Sequence, residues 1–546
     1  MTPTDNCCPL WCAALFAALT ACPPALAAQA NVNVPPDDPA YEYLDNLIAF
    51  GLVTSDISGT KPYSRGEFSR LIIEAKQRYD GDRGTYDYPL ARSSLDYLSS
   101  RFADDVAQVS GTPSSQLVHL RLVDDLQVSY FNYKGEHRAL GTPQIDAQLQ
   151  PFIAYREGRK FQEGQNIAVE SRHWIALGKT AGLYYHGRLI GTAPRSSSGF
   201  NDDVDFETMR FYFKATKWNI DLLVGKDGMQ WGMGQRGNLM LSTNAKPVGT
   251  FKTLPLIKLS NTKPVRLPWI LNGLGPMRYT LFVSRLEENR SDFPRQFFIG
   301  SRLNFKTGKN SEFGLSHSYL LGGEGFPTSF SFFDALAEFF GIRTKQNFFL
   351  KFRTGEKGEN IANHFMGFDF KLRFPALRYT EFYNEFYFDD LFNPSRLFSE
   401  QLGYHGGLYV PRLTPNGSFG GRIEVTHTSN IFYTVERRVL GSDLGPLGNE
   451  LHTEIQYKPD GNTVWSGFAN AQFRGLGDGK NRRVAGVPDE KRYRLGGTFS
   501  RRLRSNVMVR LEASYMRTAD FDDVAGDDRD EFFFGLTVRV MGLGKM

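Results

Sequence analysis

From about residue 118 to the C-terminus, apolar and polar residues alternate with a period of two, in segments about ten residues long. In the segment 507–515, Val507, Val509, Leu511, Ala513 and Tyr515 share one face, while Met508, Arg510, Glu512 and Ser514 share the other. Phe532, Phe534, Leu536, Val538 and Val540 stand opposite Phe533, Gly535, Thr537 and Arg539 in the same way. Further copies of the pattern begin at Leu451 and Trp465. Successive side chains of a strand point to opposite faces, so each segment is a strand with one apolar and one charged face. Strands of soluble sheets are usually nearer five or six residues. A strand that crosses an outer membrane needs about ten, apolar toward lipid and polar toward the lumen. A propeller would show a repeat of about 40–50 residues, and the sequence carries none. Aromatic residues near segment ends (Tyr130, Phe131, Tyr184, Tyr185, Tyr383 and Tyr387) are expected in interfacial girdles.

The expected fold is therefore an all-β transmembrane barrel of about eighteen antiparallel strands, with segments starting near 118, 143, 165, 180, 205, 218, 278, 295, 311, 362, 376, 403, 417, 450, 463, 491, 506 and 530. An even number suits a closed single-chain barrel. Short turns and long connections alternate from residue 278 onward, but the turns near Lys179 and Lys217 fall on the wrong parity. At least one upstream strand is thus misassigned, most simply within 226–276. The long connections (roughly 322–361, 389–403, 428–449, 475–490 and 518–529) are expected to be extracellular, with 331–341 as a helical piece inside one of them. A mean hydropathy of −0.36 excludes a polytopic helical membrane protein.

The first 112 residues read differently. Pro9 to Cys22 is an apolar run followed by small residues, as in a secretory signal peptide ending near residue 28. No Lys or Arg precedes the run, and Leu19-Thr20-Ala21-Cys22 offers a lipobox as a competing processing site. All four cysteines lie in this segment, so the mature chain is expected to have no disulfide and no thiolate site. Residues 29–112 carry a linker and then helical periodicity. Tyr41, Leu44, Leu47 and Ile48 form one stripe, ended by Gly51. Ser64-Arg65-Gly66-Glu67 is a capping box before Phe68, Leu71, Ile72 and Ala75, and Leu95, Leu98, Phe102 and Val106 form a third stripe. The domains expected are a signal peptide (1–28), a small α-helical bundle with its linker (29–112) and the barrel (113–546).

The stretch Asp227-Gly228-Met229-Gln230-Trp231-Gly232-Met233-Gly234-Gln235-Arg236, continuing to Pro247, resembles the Wzi-type capsule assembly family. So do Leu320 to Gly325, Gly367-Phe368-Asp369-Phe370, Tyr383 to Asp390, and the helical opening from Pro39. The resemblance implies an eighteen-stranded outer-membrane barrel with a periplasmic helical bundle. It further implies a lectin for capsular or other exported polysaccharide that helps attach it to the cell; polysaccharide export machinery is a candidate partner. Unlike many such barrels, this chain continues past its last strand to Gly544-Lys545-Met546. A polysaccharide site needs aromatic faces for sugar rings and charged or amide groups for hydroxyls and carboxylates. Candidates of those types are Trp231, Arg236, Asn238, Asn244, Glu324, Asp369, Glu385 and Asp389. For Trp231 the competing role is a packing anchor in a Gly-rich loop that constricts the barrel; for the acids it is a solvated or ion-paired role.

No cofactor or metal is expected. The net charge of +5 weakly favours acidic polymers, and basic residues alternate with acidic ones, which argues against nucleic acid. Two other functions compete. A porin would line its lumen with Arg422, Glu424, Arg474, Arg510, Glu512 and Arg539. An acyl hydrolase would use His427 as base and Ser429 as nucleophile, a motif of four residues without an evident orienting partner.

Overall fold

The computed structural model describes residues 32–543 apart from 112–117, 143–144, 160, 178–179, 195–202, 237, 251, 253, 289, 291–292, 327–361, 390–401, 429–432 and 476–486. The apolar N-terminal run with its cysteines, both processing sites, segment 331–341 and Ser429 lie outside the described residues.

Eighteen antiparallel strands close a barrel. They are β1 (Val118–Lys134), β2 (Gly164–Leu177), β3 (Ala181–Pro194), β4 (Asp203–Lys217), β5 (Ile220–Lys226) and β6 (Leu256–Asn261). Then follow β7 (Pro276–Arg285), β8 (Phe297–Gly308), β9 (Ser311–Leu321), β10 (Ala362–Phe374), β11 (Thr380–Asp389) and β12 (Leu402–Val410). The last six are β13 (Phe419–His427), β14 (Gly448–Asp460), β15 (Thr463–Arg474), β16 (Glu490–Arg504), β17 (Val507–Ala519) and β18 (Arg529–Met541). Val265–Arg266 continues β6, since both pieces pair with β7. Pairing of β18 with β1 closes the wall.

The segment expected near 143 is not part of the wall. Arg138–Thr142 and Ile145–Leu149 pair with each other, as a hairpin in the first long connection. The strand missing from the count is β6, inside 226–276. It was hard to see because six residues give only three alternations after a long irregular insertion. With β6 in place, the turns near Lys179 and Lys217 fall into regular alternation with the long connections.

Outward positions are apolar and exposed, as at Trp465, Leu511, Tyr515, Phe532 and Phe534. Inward positions are polar and buried, as at Asn470, Gln472, Arg474, Ser514 and Arg539. The girdle expectation needs correction. Phe131, Tyr184, Tyr383 and Tyr387 are buried in the lumen, and only Tyr130 and Tyr185 lie on the outward register. Adjacent aromatics on one strand must split between its faces.

Among the described residues, five helices precede the barrel: α1 (Ala40–Ala49), α2 (Arg65–Gly81), α3 (Arg83–Tyr86), α4 (Pro89–Arg101) and α5 (Ala103–Val109). The three expected stripes form their common core, with Phe68 stacked on Phe102. Ser64 caps α2 by accepting from the Glu67 amide (3.1 Å). The return arm of the capping box is absent, because Arg70 takes the Glu67 carboxylate (2.8 and 2.9 Å).

The helices lie across the short-turn end of the barrel. Arg502, in β16, sits over Tyr43 and Tyr97 at 5.1 and 4.7 Å. Lys458, in β14, donates to Asn46 (2.8 Å), and Met541 joins the helical core. Buried ion pairs add to this. Asp38 meets Arg101 (2.5 Å) and Arg539 of β18 (3.4 Å). Asp56 accepts both ends of the Arg373 guanidinium of β10 (2.7 Å each).

Candidate functional site

Two chain segments enter the lumen from opposite ends and meet. From the helical side, the link between α1 and α2 rises along the wall, where the Glu312 carboxylate accepts from the amides of Ser58 (3.0 Å) and Gly59 (2.7 Å). From the long-loop side, the connection between β5 and β6 folds inward. Thr60–Lys61 of the first pairs antiparallel with Gln230–Trp231 of the second. The inward loop is pinned at its base, where Asp227 accepts from Asn33 and Lys258 (2.9 Å each) and its backbone bridges Val248. It returns through the Trp231 amide, which donates to the Leu241 carbonyl (3.0 Å). Gly232 turns the chain at φ +126°, and a Cβ there would sit 2.7 Å from the Glu385 carboxylate, so only glycine fits.

Beyond Leu241 the loop is stitched to two other long connections through backbone groups. Glu157 and Gly158 amides donate to the carbonyls of Thr243 (2.6 Å) and Asn244 (3.1 Å). The Ser242 amide donates to Leu440 (2.8 Å), and the Gln148 amide to Arg437 (2.7 Å). Lys246 bridges Glu207 of β4 (2.7 Å) and Glu436 (2.5 Å). The ordered backbone pairing gives three loops the character of one plug.

The expected site residues separate within this frame. Trp231 is fully buried, tilted against Phe282 at 5.5 Å, and packs the joint between the two lumenal segments. Asn244 is likewise internal: its amide donates to the Val439 carbonyl (2.9 Å) and its oxygen accepts from the Tyr155 amide (3.3 Å). Asp369 forms a buried two-point pair with Arg302 of β8 (2.7 and 2.9 Å). Glu385 accepts from the Leu239 amide (3.2 Å), and its second oxygen faces Gly232 without a hydrogen-bond partner. Glu324 is exposed and paired with Arg295 (2.6 Å). Asp389 closes β11, and its side chain lies outside the described residues.

Arg236 and Asn238 differ from these, because both line an open space. A cavity of about 560 Å³ lies between the helical unit and the underside of the plug. Arg236 lies over the Tyr155 ring (5.2 Å) and donates to Glu450 of β14 (3.2 Å). Asn238 is 1% exposed, and neither end of its amide has a partner among the described residues. Arg494 of β16 and His452 of β14 also face the cavity, and sequence reasoning did not single them out. Their signal was present in the alternation, which sets both on the polar face of their strands.

The arginines and acids assigned to an open lumen are engaged. Arg539 holds Asp125 and Asp38, Arg422 meets Glu454 (3.6 Å), and Arg474 donates to the Leu444 carbonyl of the plug. His427 bonds Asn449 (2.9 Å). Among the described residues, no group of three or more His, Cys, Asp or Glu side chains could hold a metal ion.

A family model described as capsule assembly protein Wzi matches residues 141–444. A Klebsiella pneumoniae protein described as an uncharacterised 55.8 kDa protein in the cps region is 28% identical over 213 residues. That alignment spans 38% of this chain and 37% of the relative's length. Among solved structures, Escherichia coli Wzi is described as an outer membrane protein involved in group 1 capsule assembly and a carbohydrate-binding β-barrel. It superposes with a TM-score of 0.61 at 18% identity, covering 93% of this chain and 99% of that one. At that identity the likeness establishes the shared barrel fold.

Proposed function

This chain belongs to the capsule assembly protein Wzi family, and on that premise we propose that it is a non-enzymatic outer-membrane barrel that binds surface polysaccharide and helps to attach or assemble it at the cell surface. In this reading the short turns and helical unit face the periplasm and the long connections face outward. The observation that carries it is the extent of the family match. Residues 141–444 take in the inward loop and most of the two connections stitched to it, so the match covers the plug as well as generic barrel wall. A plug built from backbone pairing is a rigid outward platform, and rigid presentation lowers the ordering cost of holding a long polymer.

Deleting the gene is expected to move polysaccharide from the cell-bound to the shed fraction, measured as uronic acid or total sugar in washed cells against medium. Unchanged retention would overturn the proposal. The porin reading is weakened by the segments that cross the lumen. Contacts with polysaccharide export components belong to the proposal too, and co-purification from cross-linked cells tests them.

A further inference from the structure

Trp269 and Trp218 are the two most exposed large apolar side chains among the described residues, at 92% and 72%. Both stand at the short-turn end of the wall, on neighbouring connections. Trp218-Asn219 is the turn between β4 and β5, and both residues are left-handed (φ 51° and 66°). Such turns are ordinarily built from Asn, Asp or Gly, and a bulky side chain there is disfavoured, so turn geometry does not call for Trp218. Trp269 is likewise left-handed (φ 61°) and opens a 3-10 turn, Trp269–Leu274, inside the connection between β6 and β7. Asn219 joins the two connections. Its side chain donates to the Lys263 carbonyl (3.0 Å) and accepts from the Lys263 amide (2.8 Å), and its carbonyl accepts from the Thr262 amide (3.1 Å).

The β6–β7 connection does not hang free beneath the barrel. Its Val265 and Leu267 pack on Met277, Tyr279 and Phe305, all buried. Arg278 and Lys306 point into the lumen, toward Tyr63 and Asp56, so alternation sets those three on the outside of the wall. The connection thus folds back over the outer face and leaves Trp269, Leu271 and Leu274 exposed beyond it. An exposed apolar patch marks a contact surface, and this one is continuous with the lipid-facing band of the wall. Its charge is one-sided. Lys217, Lys263, Arg266 and Lys309 lie on the β4–β5, β6–β7 and β8–β9 connections, which contain no Asp or Glu. The nearest acids along the chain, Asp221 and Glu312, are buried, held by Lys214 (2.9 Å) and by the Ser58 and Gly59 amides. Lys217 lies over the Trp218 ring (4.1 Å), and Arg266 donates to Asn272 (3.4 Å).

We propose that this patch is a membrane foot for anionic phospholipid: Trp269, Leu271 and Leu274 enter the leaflet at the short-turn end, and the four cations hold its phosphate headgroups. Trp suits the headgroup boundary, because its ring is apolar and its N–H can still bond. Cations beside an anionic leaflet each add to the attraction. The inference rests on the outer-membrane placement and owes nothing to the polysaccharide, so the leaflet gripped is the periplasmic one.

The test places the full chain in phosphatidylcholine nanodiscs that carry an equal minor fraction of either brominated phosphatidylcholine or brominated phosphatidylglycerol. Bromine quenches a tryptophan that touches the acyl region, and the signal of Trp269 is the parent emission minus that of Trp269→Phe. Trp465, on the outward face of β15, gives the wall's own signal through Trp465→Phe. Both tryptophans are expected to be quenched, and Trp269 about twofold more by the phosphatidylglycerol than by the phosphatidylcholine. Changing Lys217, Lys263, Arg266 and Lys309 together to Gln is expected to equalise the two lipids at Trp269. Gel mobility of the unheated barrel confirms that the variant is folded. Should it not fold, salt at about 1 M, where the Debye length is about 3 Å, is expected to equalise them in the parent. Quenching of Trp465 but not of Trp269 overturns the foot while leaving the barrel in the membrane, and shielding of Trp269 from aqueous acrylamide as well would assign the patch to a second copy of the chain or another protein. Equal quenching of Trp269 by the two lipids in the parent, or a preference that survives in the folded variant or in high salt, overturns the anionic grip. Quenching of neither tryptophan sinks the membrane placement along with the foot.

Discussion

Trp231 heads the fully enclosed side chains by size, and it stands where the segment from the helical unit meets the segment from the outward loop. Truncating a buried aromatic costs about 3–5 kcal/mol, so Trp231→Ala is expected to lower the barrel's melting temperature in detergent markedly. Trp231→Phe keeps most of the packing against Phe282 and is expected to cost less than about 1.5 kcal/mol. A Trp231→Ala protein that melts with the parent would show that the joint is not held by this side chain. The sequence marked Trp231 as either a sugar platform or a packing anchor, and its burial is what packing at the joint requires. Asp369 and Glu385 were legible as inward residues because alternation sets their face. Their partners were not, because pairing of Asp369 with Arg302 of β8 depends on wall geometry that a strand's own pattern does not encode. Arg494 escaped notice for a related reason: many arginines point inward, and a strand's own pattern does not encode which partners each of them meets.

The helical unit was the easiest element to read, since its stripes and its cap are local signals. What the sequence could not give is how the unit is held. Its main electrostatic ties are Asp38 to Arg101 and Arg539, and Asp56 to Arg373 and Lys306. Burial pushes both acids upward, but the cations outweigh it, holding Asp38 below and Asp56 well below the ordinary aspartate range. A carboxyl with a depressed folded pKa contributes stability that is complete above its unfolded pKa of about 3.9 and declines as pH falls toward the folded value. Docking of the helices is therefore expected to hold from neutrality to about pH 5 and to loosen progressively below about pH 4. Amide exchange in α1 and α4, corrected for its intrinsic pH dependence, should rise in that window while the strands stay protected. Asp56→Asn should give the loosening at neutral pH. Helices equally protected at pH 3 and pH 7 would show that the ties contribute nothing. Among the strands, β6 was missed and the 138–149 hairpin was mistaken for wall, both for the same reason. Short alternating runs of five or six residues look alike whether they pair in the wall or on each other.

At the scale of the molecule, an eighteen-strand wall by itself would enclose a wide aqueous passage. Here the described residues place obstacles along it in series: the helical unit over the short-turn end, the two-stranded joint at Thr60–Lys61 and Gln230–Trp231 inside, and the three stitched loops above. The charges that a channel would use to conduct are spent on holding those obstacles, as Arg539 does with Asp38 and Arg474 with Leu444. Removing any one obstacle leaves another, but the inward loop is common to two of them, because it supplies one strand of the joint and the centre of the stitched plug. The intact protein is therefore expected to pass no steady current in planar bilayers. Replacing residues 229–249 with a short turn is expected to give discrete openings, because the joint and the plug are lost together. Porin-sized steady conductance from the intact chain would contradict a crossed lumen. A silent loop variant that is folded by gel mobility would show that the helical unit and the remaining two loops seal the barrel by themselves.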